Sequence, residues 1–305
     1  MENGFKPRTV YVAASYMAPV GRYNGREHEA LDFLALAEKA GAIFEGSSVR
    51  RREIDAIVVG CQSPVAFSGV DNTASKVAGV LGVSGSKSVL IDTASSSGAS
   101  AVENAYLMVA SGSCDHVLAL GIQKMSDVGT LEATRIVAGV IDRDEAEFGL
   151  TMPACGALVA RSLMERLGLS YEEWTAFSAM LTERAHRYAS RNPDAHLNFP
   201  LTVSEYYEQI KNGKNYRYWW PLRYHDFCPM SDGVAAVILT SRPQAVLVAG
   251  VGSATDIPTI ADRNYFHSFP ATVRAAAEAY GMAGIKDIRE FAGKLHVNMH
   301  DPFNG

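Results

Sequence analysis

Residues 93–99, TASSSGA, are the part of the chain best suited by residue type to acyl chemistry. They follow the apolar run 89–91, which predicts a buried strand that turns directly into a helix. Such a turn faces the amides and the positive end of the helix, where an anion or a thioester oxygen is stabilised. Ser95 lies in the turn, and Gly98 permits close backbone approach. The stretch predicts either a reactive residue at position 95 or serines that only cap the helix, and taken alone it favours capping.

Composition excludes several classes of protein. The chain has 305 residues, of which 48% are apolar and 20% charged, so it can bury a large core in one large or two ordinary domains. A formal net charge of −5 offers no basic face to nucleic acid. The sequence has no long apolar run and no signal-peptide pattern at its amino terminus, so we expect a cytoplasmic protein without a membrane segment.

The four cysteines show no pattern of a metal site or a disulfide framework. They are Cys61, Cys114, Cys155 and Cys228, with no CxxC pair and no histidine at ligand spacing. We expect no bound metal, and we expect these residues to be buried as small hydrophobic side chains with reduced thiols.

Short β-branched runs alternate with longer amphipathic stretches in the first part of the chain, which predicts βαβ units and a sheet covered on both faces. The predicted strands are 10–12, 56–59, 88–91, 116–120 and 234–239, and the predicted helices are 27–45, 72–81, 97–110 and 170–187.

The chain is expected to fold in four sections. These are an amino-terminal α/β half (1–120), a loop or lid insertion (121–224), a return strand of the first half (225–242) and a shorter second α/β half (243–305). In the last section the pattern predicts strands at 246–250 and 295–299 with a helix at 271–280 between them. His300 would then stand at a strand end, beside Asp301.

Four stretches resemble motifs of the thiolase superfamily. Residues 89–126 resemble its strand, active-site turn, helix and following strand, in which the turn commonly has a cysteine followed by Ala-Ser-Gly or Ser-Ser-Gly. Residues 19–23 resemble an early Thr-Pro-Phe-Gly-Arg-Phe pattern, and residues 228–236 resemble a Pro-x-Ser-Asp-Gly-Ala-Ala strand. Residues 300–303 resemble the His-Asp-x-Phe turn of sterol-carrier-type thiolases. The resemblance covers the whole chain.

This resemblance implies an α/β, thiolase-like fold of two stacked βαβαβαββ halves, the second incomplete, with a helical or loop insertion in the first. It also implies a homodimer that performs Claisen condensation or thiolytic cleavage of a 3-oxoacyl-coenzyme A, with coenzyme A as co-substrate and no covalently bound cofactor. His300 would hold the thioester oxygen in an oxyanion hole, although without the resemblance a histidine satisfied by Asp301 or backbone is the more common case. Met152 would lie in the loop over the acyl pocket, where a packing role is the plainer alternative.

The chain departs from the family pattern at two places. The nucleophilic cysteine falls at Ser95, and the family continues past the position of Gly305 with a second histidine motif and a second cysteine. A cysteine thiol has a pKa of about 8.5 that a helix terminus can lower, whereas a serine hydroxyl needs a base in hydrogen-bond contact.

Three functions therefore remain open. The first is a thiolase whose thiolysis is impaired by Ser95. The second is a retro-aldolase of a 3-hydroxyacyl-coenzyme A, which needs no acyl group on the protein. The third is a non-catalytic scaffold that binds coenzyme A thioesters or docks a small zinc-ribbon/OB-fold protein.

An aromatic run at 215–224 allows two functions. Arg217, Trp219 and Trp220 could shape an acyl pocket or bind coenzyme A phosphates. A run of this kind is also typical of a subunit or partner interface, and the interface is slightly favoured.

Overall fold

Most apolar runs of the chain form one six-stranded mixed sheet. The computed structural model describes residues 7–264 and 266–304. Its strands are β1 (Tyr11–Met17), β2 (Ala56–Gly60), β3 (Lys87–Ile91), β4 (His116–Gln123), β5 (Arg217–Trp219), β6 (Leu222–Arg223), β7 (Gly233–Thr240) and β8 (Val246–Leu247). The large sheet has the order β3-β2-β4-β7-β1-β8, and β5 and β6 form a separate hairpin. β2 is parallel to β3 and β4, whereas the pairs β4–β7, β7–β1 and β1–β8 are antiparallel.

Helices cover both faces of this sheet. Among the described residues, in both parts of the chain, the helices are α1 (Phe33–Lys39), α2 (Pro64–Ser68), α3 (Thr73–Val80), α4 (Ser97–Ala110), α5 (Thr130–Ala138), α6 (Arg143–Glu147), α7 (Met152–Leu167), α8 (Tyr171–Ala189), α9 (Val203–Lys211) and α10 (Pro270–Met282), of which α1, α3 and α4 pack on the sheet. Because side chains alternate along a strand, Ile57 packs in the cluster with α1 and α3, and Val58 packs in the cluster with α4. The α/β fold class and the βαβαβαββ order of the first half are confirmed.

The chain divides into two compact units. Of the described residues, the first unit contains 7–129, 231–254 and 272–288, and it therefore holds the large sheet. The second unit contains the described residues 130–230, 255–264, 266–271 and 289–304, including α7, α8, α9 and the hairpin. Within the described residues, no helix combines the length and the apolar character that crossing a bilayer requires.

Four predicted elements differ from the structure. The first helix begins at Phe33 rather than at residue 27, because Asp32 caps it by accepting a hydrogen bond from the Ala35 amide. β3 was expected to be buried but is the edge of the sheet, with residues 87–90 exposed. The strand predicted at 246–250 is only two residues long, and it extends the first sheet beside β1 rather than opening a second one. The strand predicted at 295–299 is absent, and these residues are exposed.

A buried ion-pair network joins the two ends of the segment between β4 and β7. The Asp232 carboxylate accepts hydrogen bonds from the amide of Tyr23 at 2.9 Å and from the amide and hydroxyl of Ser126. The Lys124 ammonium lies 3.2 Å from the same carboxylate, and both side chains are almost fully buried. Burial alone would raise the pKa of Asp232, but the bonds from Ser126 and Tyr23 and the charge of Lys124 outweigh it and lower the pKa.

The lowered pKa sets the pH range over which Asp232 stabilises the fold. An unfolded aspartate has a pKa of about 3.9, and the folded-state pKa of Asp232 lies below its ordinary value. The stabilisation is therefore complete above about pH 4 and is lost as the pH falls through the folded-state pKa.

Replacement of Lys124 by methionine is expected to destabilise the protein strongly. The variant leaves the Asp232 carboxylate buried without its counter-charge, which costs about 3–5 kcal/mol of unfolding free energy. Urea unfolding at pH 7 measures this loss. Arg143→Met is the matched control, because the Arg143–Glu147 pair is exposed and such pairs contribute little. Equal losses in the two variants would contradict the role assigned to the network.

Candidate active site

The Ser95 turn connects β3 to α4 through a short 3-10 helix, Ala94–Ser96. The Ser96 hydroxyl donates to the carbonyl of Thr93 at 2.7 Å, and the Ser97 hydroxyl accepts from the Thr93 amide at 2.9 Å. Neither side chain caps α4, so the capping hypothesis is wrong. The Ser95 side chain is exposed, and no other described residue forms a hydrogen bond with its hydroxyl.

Asp92 holds this turn in an uncommon backbone conformation. Ala94, directly before Ser95, has a φ of 55°, and Ser63 has a φ of 45°. Each left-handed residue that is not glycine costs about 1–2 kcal/mol. The two oxygens of the Asp92 carboxylate accept hydrogen bonds from the backbone amides of Ala94, at 3.1 Å, and Ser63, at 2.9 Å. The carboxylate therefore stabilises the bend that exposes position 95. Sequence reasoning missed this role of Asp92.

A glycine in β2 lets the start of α4 lie directly against the sheet. A Cβ atom at Gly60 would overlap the carbonyl of Ser97 and lie 2.9 Å from the amide nitrogen of Gly98. A Cβ atom at Gly98 itself would meet nothing within 4 Å. The close approach of α4 to the sheet therefore depends on Gly60, and the predicted role of Gly98 beside a ligand stays a prediction.

The turn can stabilise negative charge but holds no base for a hydroxyl. The positive end of the 14-residue helix α4 lies at the turn and would lower the pKa of a thiol there. Cys61 follows β2, and its amide bonds to the carbonyl of Ile91 at 3.1 Å, but burial first and the Asp92 charge second raise the pKa of its thiol to about 12. Cys61 therefore stays protonated and does not replace the cysteine expected at position 95.

The unit containing His300 places that residue in an exposed, irregular segment. The side chain is exposed and makes no hydrogen bond to any other described residue. The predicted position at a strand end is wrong, because no described strand runs beside residues 295–299 and a strand needs a hydrogen-bonded neighbour. The residues that follow are anchored, since the Pro302 carbonyl accepts the Cys228 amide at 3.0 Å.

The predicted substrate-binding residues Arg217, Trp219 and Trp220 share one hairpin in the second unit. Both tryptophans are exposed, at 40% and 45%. The Arg217 guanidinium lies over the ring of Tyr171 at 5.0 Å, and that of Arg161 lies over Trp220 at 5.7 Å. The hairpin therefore presents a surface of rings and guanidinium groups, which we call the aromatic surface.

Met152 does not lie in a loop. It begins α7, whose first turn is capped by Thr151, and its side chain is half-buried. The helix starts here because Thr151 accepts from the Ala154 amide and Pro153 fits the first turn.

A small cavity of about 190 Å³ in the second unit was not predicted from the sequence. His186, His225, Cys228 and Asp301 are among the residues that line it. Burial and the neighbouring His186 lower the pKa of His225. Cys228 is exposed, which corrects the expectation that all four cysteines are buried. Within the described part of the chain, no three such side chains are arranged to hold a metal ion.

The chain belongs to the thiolase family. The model of the thiolase N-terminal domain matches residues 10–199. An acetyl-CoA acetyltransferase of Methanocaldococcus jannaschii is 32% identical over 265 residues, which is 83% of this chain and 64% of that protein. The chain therefore spans a little under two thirds of the length of this relative.

Solved structures show the same fold. A monomeric SCP2-thiolase-like protein type 1 from Mycobacterium smegmatis has a TM-score of 0.71 and 19% identity, over 92% of this chain and 58% of that one. The Ltp2-ChsH2(DUF35) aldolase has a TM-score of 0.69 and 19% identity, over 92% of this chain and 71% of that one.

Replacement of Gly60 by alanine is expected to displace the start of α4. The new Cβ atom meets backbone, so the helix must shift, at a cost of about 1–3 kcal/mol or more. Gly98→Ala is the matched control, and it should be neutral or stabilising by about 0.5–1 kcal/mol because its Cβ enters open space in a helix. Thermal unfolding of both variants measures the difference. Similar losses would show that the close approach at Gly60 does not govern the position of α4.

Proposed function

We propose that the chain is a thiolase-type acyltransferase subunit that cleaves or forms a 3-oxoacyl-coenzyme A. The observation that carries the proposal is the exposed residue 95, on a strained turn at the positive end of α4, in a chain with a thiolase N-terminal domain. Strained backbone residues such as Ala94 cluster at active sites and ligand-binding sites.

The turn residues and His300 would each have a separate role in the reaction. In thiolysis the nucleophile at position 95 attacks the 3-oxo carbon, the bond between C2 and C3 breaks, and the acyl group stays on the protein. The electron pair left on C2 forms an enolate, which takes a proton, and coenzyme A then releases the acyl group. The amides after residue 95 and the imidazole of His300 would stabilise the oxygen charges.

Ser95 itself suits the first step poorly. Its hydroxyl has no hydrogen bond to a base within the described residues, and a hydroxyl without a base is a weak nucleophile. This favours a second candidate, retro-aldol cleavage of a 3-hydroxyacyl-coenzyme A, in which a base removes the hydroxyl proton of the substrate and no acyl group reaches the protein. The structural likeness to an aldolase supports the same candidate.

The substrate-binding part of the proposal has two components. Gly98 lies in the first turn of α4, where backbone amides can face a thioester oxygen. Met152 would contribute apolar contact to the acyl chain, and Arg217, Trp219 and Trp220 offer rings and a cation to the nucleotide part of coenzyme A.

The change Ser95→Cys is expected to produce an acyl-protein. A thiol at the end of α4 has its pKa lowered from about 8.5 and reacts with acetoacetyl-coenzyme A, so intact-protein mass spectrometry should show one acyl group and peptide mapping should place it on residue 95. Ser96→Cys is the matched control, because the side chain at position 96 points back to the Thr93 carbonyl and should stay unmodified.

Two other outcomes decide between the alternatives. Cleavage of a 3-hydroxyacyl-coenzyme A by the unchanged chain, without any acyl adduct on the Ser95→Cys form, would favour the aldolase. No reaction in either assay, with retained binding of a coenzyme A thioester or of a small zinc-ribbon/OB-fold partner, would contradict acyl transfer and leave the scaffold.

We further propose that two copies pair through β3 and that the aromatic surface takes no part in this dimer. Among the described strands β3 has a neighbour on one side only, and Val89 and Leu90 on this edge are 36% and 39% exposed. Unpaired edges of this kind join to other strands unless they are blocked. A two-fold axis beside β3 would pair this strand with β3 of a second copy of the chain.

Val89→Lys is expected to give a monomer, because two like charges would meet across the paired edges. Trp220→Lys should keep the dimer mass, and it serves as the control on the aromatic surface. Light scattering coupled to gel filtration measures both masses. If Val89→Lys stays a dimer and Trp220→Lys becomes a monomer, the interface is the aromatic surface and not β3. Monomeric wild-type protein would contradict the dimer altogether.

A further inference from the structure

We propose that Asn304 and Asp226 are positioning residues for His300. The proposal rests on the role proposed above for His300, because a positioning residue acts through the group it holds. The side chains of these two residues are hydrogen-bonded to each other in the second unit, and His300 lies only four residues before Asn304 in the chain. We call this pair the anchor.

The side chain of Asn304 is surrounded by acceptors. Its side-chain nitrogen, Nδ2, lies 2.8 Å from the hydroxyl oxygen of Thr182, 3.1 Å from an oxygen of the Asp226 carboxylate and 3.2 Å from the carbonyl oxygen of Ser178. Thr182 and Ser178 both belong to α8. One side chain therefore ties the end of the described chain to a helix and to the segment that contains Asp226.

Backbone hydrogen bonds attach the same segment to residues 226–228. The amide of Asn304 donates to the carbonyl of Asp226 at 3.0 Å, and the amide of Cys228 donates to the carbonyl of Pro302 at 3.0 Å. Phe227 and Phe303 form an antiparallel bridge between these bonds. Residues 302–304 are thus paired with residues 226–228 like a short strand, which leaves their direction little freedom.

Asp226 is itself held rigidly. It is 3% exposed, and its carboxylate accepts hydrogen bonds from the Arg223 amide at 2.8 Å and from the Tyr206 hydroxyl at 2.9 Å. Burial raises the pKa of this carboxyl, although these bonds and that from Asn304 act in the opposite direction. A buried carboxylate in this position needs all its donors, so loss of the Asn304 donor disturbs both residues.

The ring of Phe303 fixes the same segment from another side. A Cβ atom at Gly156 in α7 would overlap this ring, and the Phe303 ring meets the Phe227 ring edge-on at 5.4 Å between centroids. The anchor therefore lies in a closely packed part of the second unit.

The other side of His300 supplies no comparable restraint. Residues 291–301 are exposed, and residues 295–300 belong to no helix or strand. The location of the imidazole therefore depends on the anchor on its carboxyl side. A displacement of about 1 Å of a group that must meet a reacting atom can cost about 100-fold in rate.

The test compares Asn304→Ala with Asn298→Ala, which removes the same side chain from the exposed segment before His300. Backbone ¹⁵N relaxation should show the order parameter at His300 falling from about 0.85 to below about 0.6 in Asn304→Ala only. In the Ser95→Cys protein, kcat with acetoacetyl-coenzyme A should fall at least about 10-fold in Asn304→Ala, with KM changed less than about two-fold.

Thr182→Val provides a second, milder variant. It removes one acceptor of Asn304 and leaves the tail unchanged, so the order parameter at His300 should fall by a smaller amount. This variant keeps the test decisive if Asn304→Ala does not fold.

Three results would overturn the proposal. One is a His300 amide that is already mobile in the unchanged protein. Another is an order parameter at His300 that stays high in both Asn304→Ala and Thr182→Val. The third is a lower melting temperature with unchanged order parameter and kcat, which is the mark of a structural role alone. If the Ser95→Cys protein shows no turnover, the proposed acyl chemistry fails, and the order parameter still reports whether the anchor holds residue 300.

Discussion

The ion pair between Lys124 and Asp232 is the interaction on which the first unit depends. Lys124 follows β4 and Asp232 precedes β7, so the pair joins the two points at which the chain leaves the sheet and returns to it. A segment of about one hundred residues can then be inserted between adjacent strands, because the entropy of closing a loop grows only slowly with its length. The Tyr23 amide bonds to the same carboxylate and places the segment after β1 beside it.

The sheet in turn determines what residue 95 can do. The edge position of β3 brings its carboxyl end out of the core, and Asp92 there holds two left-handed residues through their amides. Gly60 brings α4 against β2, so the positive end of the helix lies at the turn. This geometry suits a thiolate or a thioester oxygen. A serine hydroxyl gains much less from it, since its pKa is too far above neutrality for a helix end to ionise it.

The second unit shows how a short motif can acquire its geometry from contacts distant in sequence. The turn at residues 300–303 resembles a family motif, but the His300 side chain is exposed and has no hydrogen bond to another described residue. Its carboxyl side is paired with residues 226–228, and the Asn304 amide reaches α8. The aromatic surface of the same unit has a different physical character, because its rings remain exposed and its guanidinium groups stack on them.

The local pattern of the sequence was sufficient for most of the first sheet. Alternating β-branched runs and amphipathic stretches predicted the central strands and α3, α4 and α8 to within a few residues, because these elements bury one face against a core that the same pattern supplies. The turn containing Ser95 was also predicted correctly as a strand-to-helix connection.

Tertiary structure alone decided the features that depend on a partner elsewhere in the chain. Residues 295–299 have the composition of a strand but remain irregular, since no described strand lies beside them to accept their hydrogen bonds. Ser96 and Ser97 bond within their turn instead of capping α4, and the glycine essential to that turn is Gly60, far away in sequence. By itself the sequence determined which segments could form strands and helices and where a strand turns directly into a helix. The contacts of Asp92, Asp226 and Asp232 depend on residues brought together only when the chain folds, because a carboxylate is held by donors close in space whatever their separation in sequence.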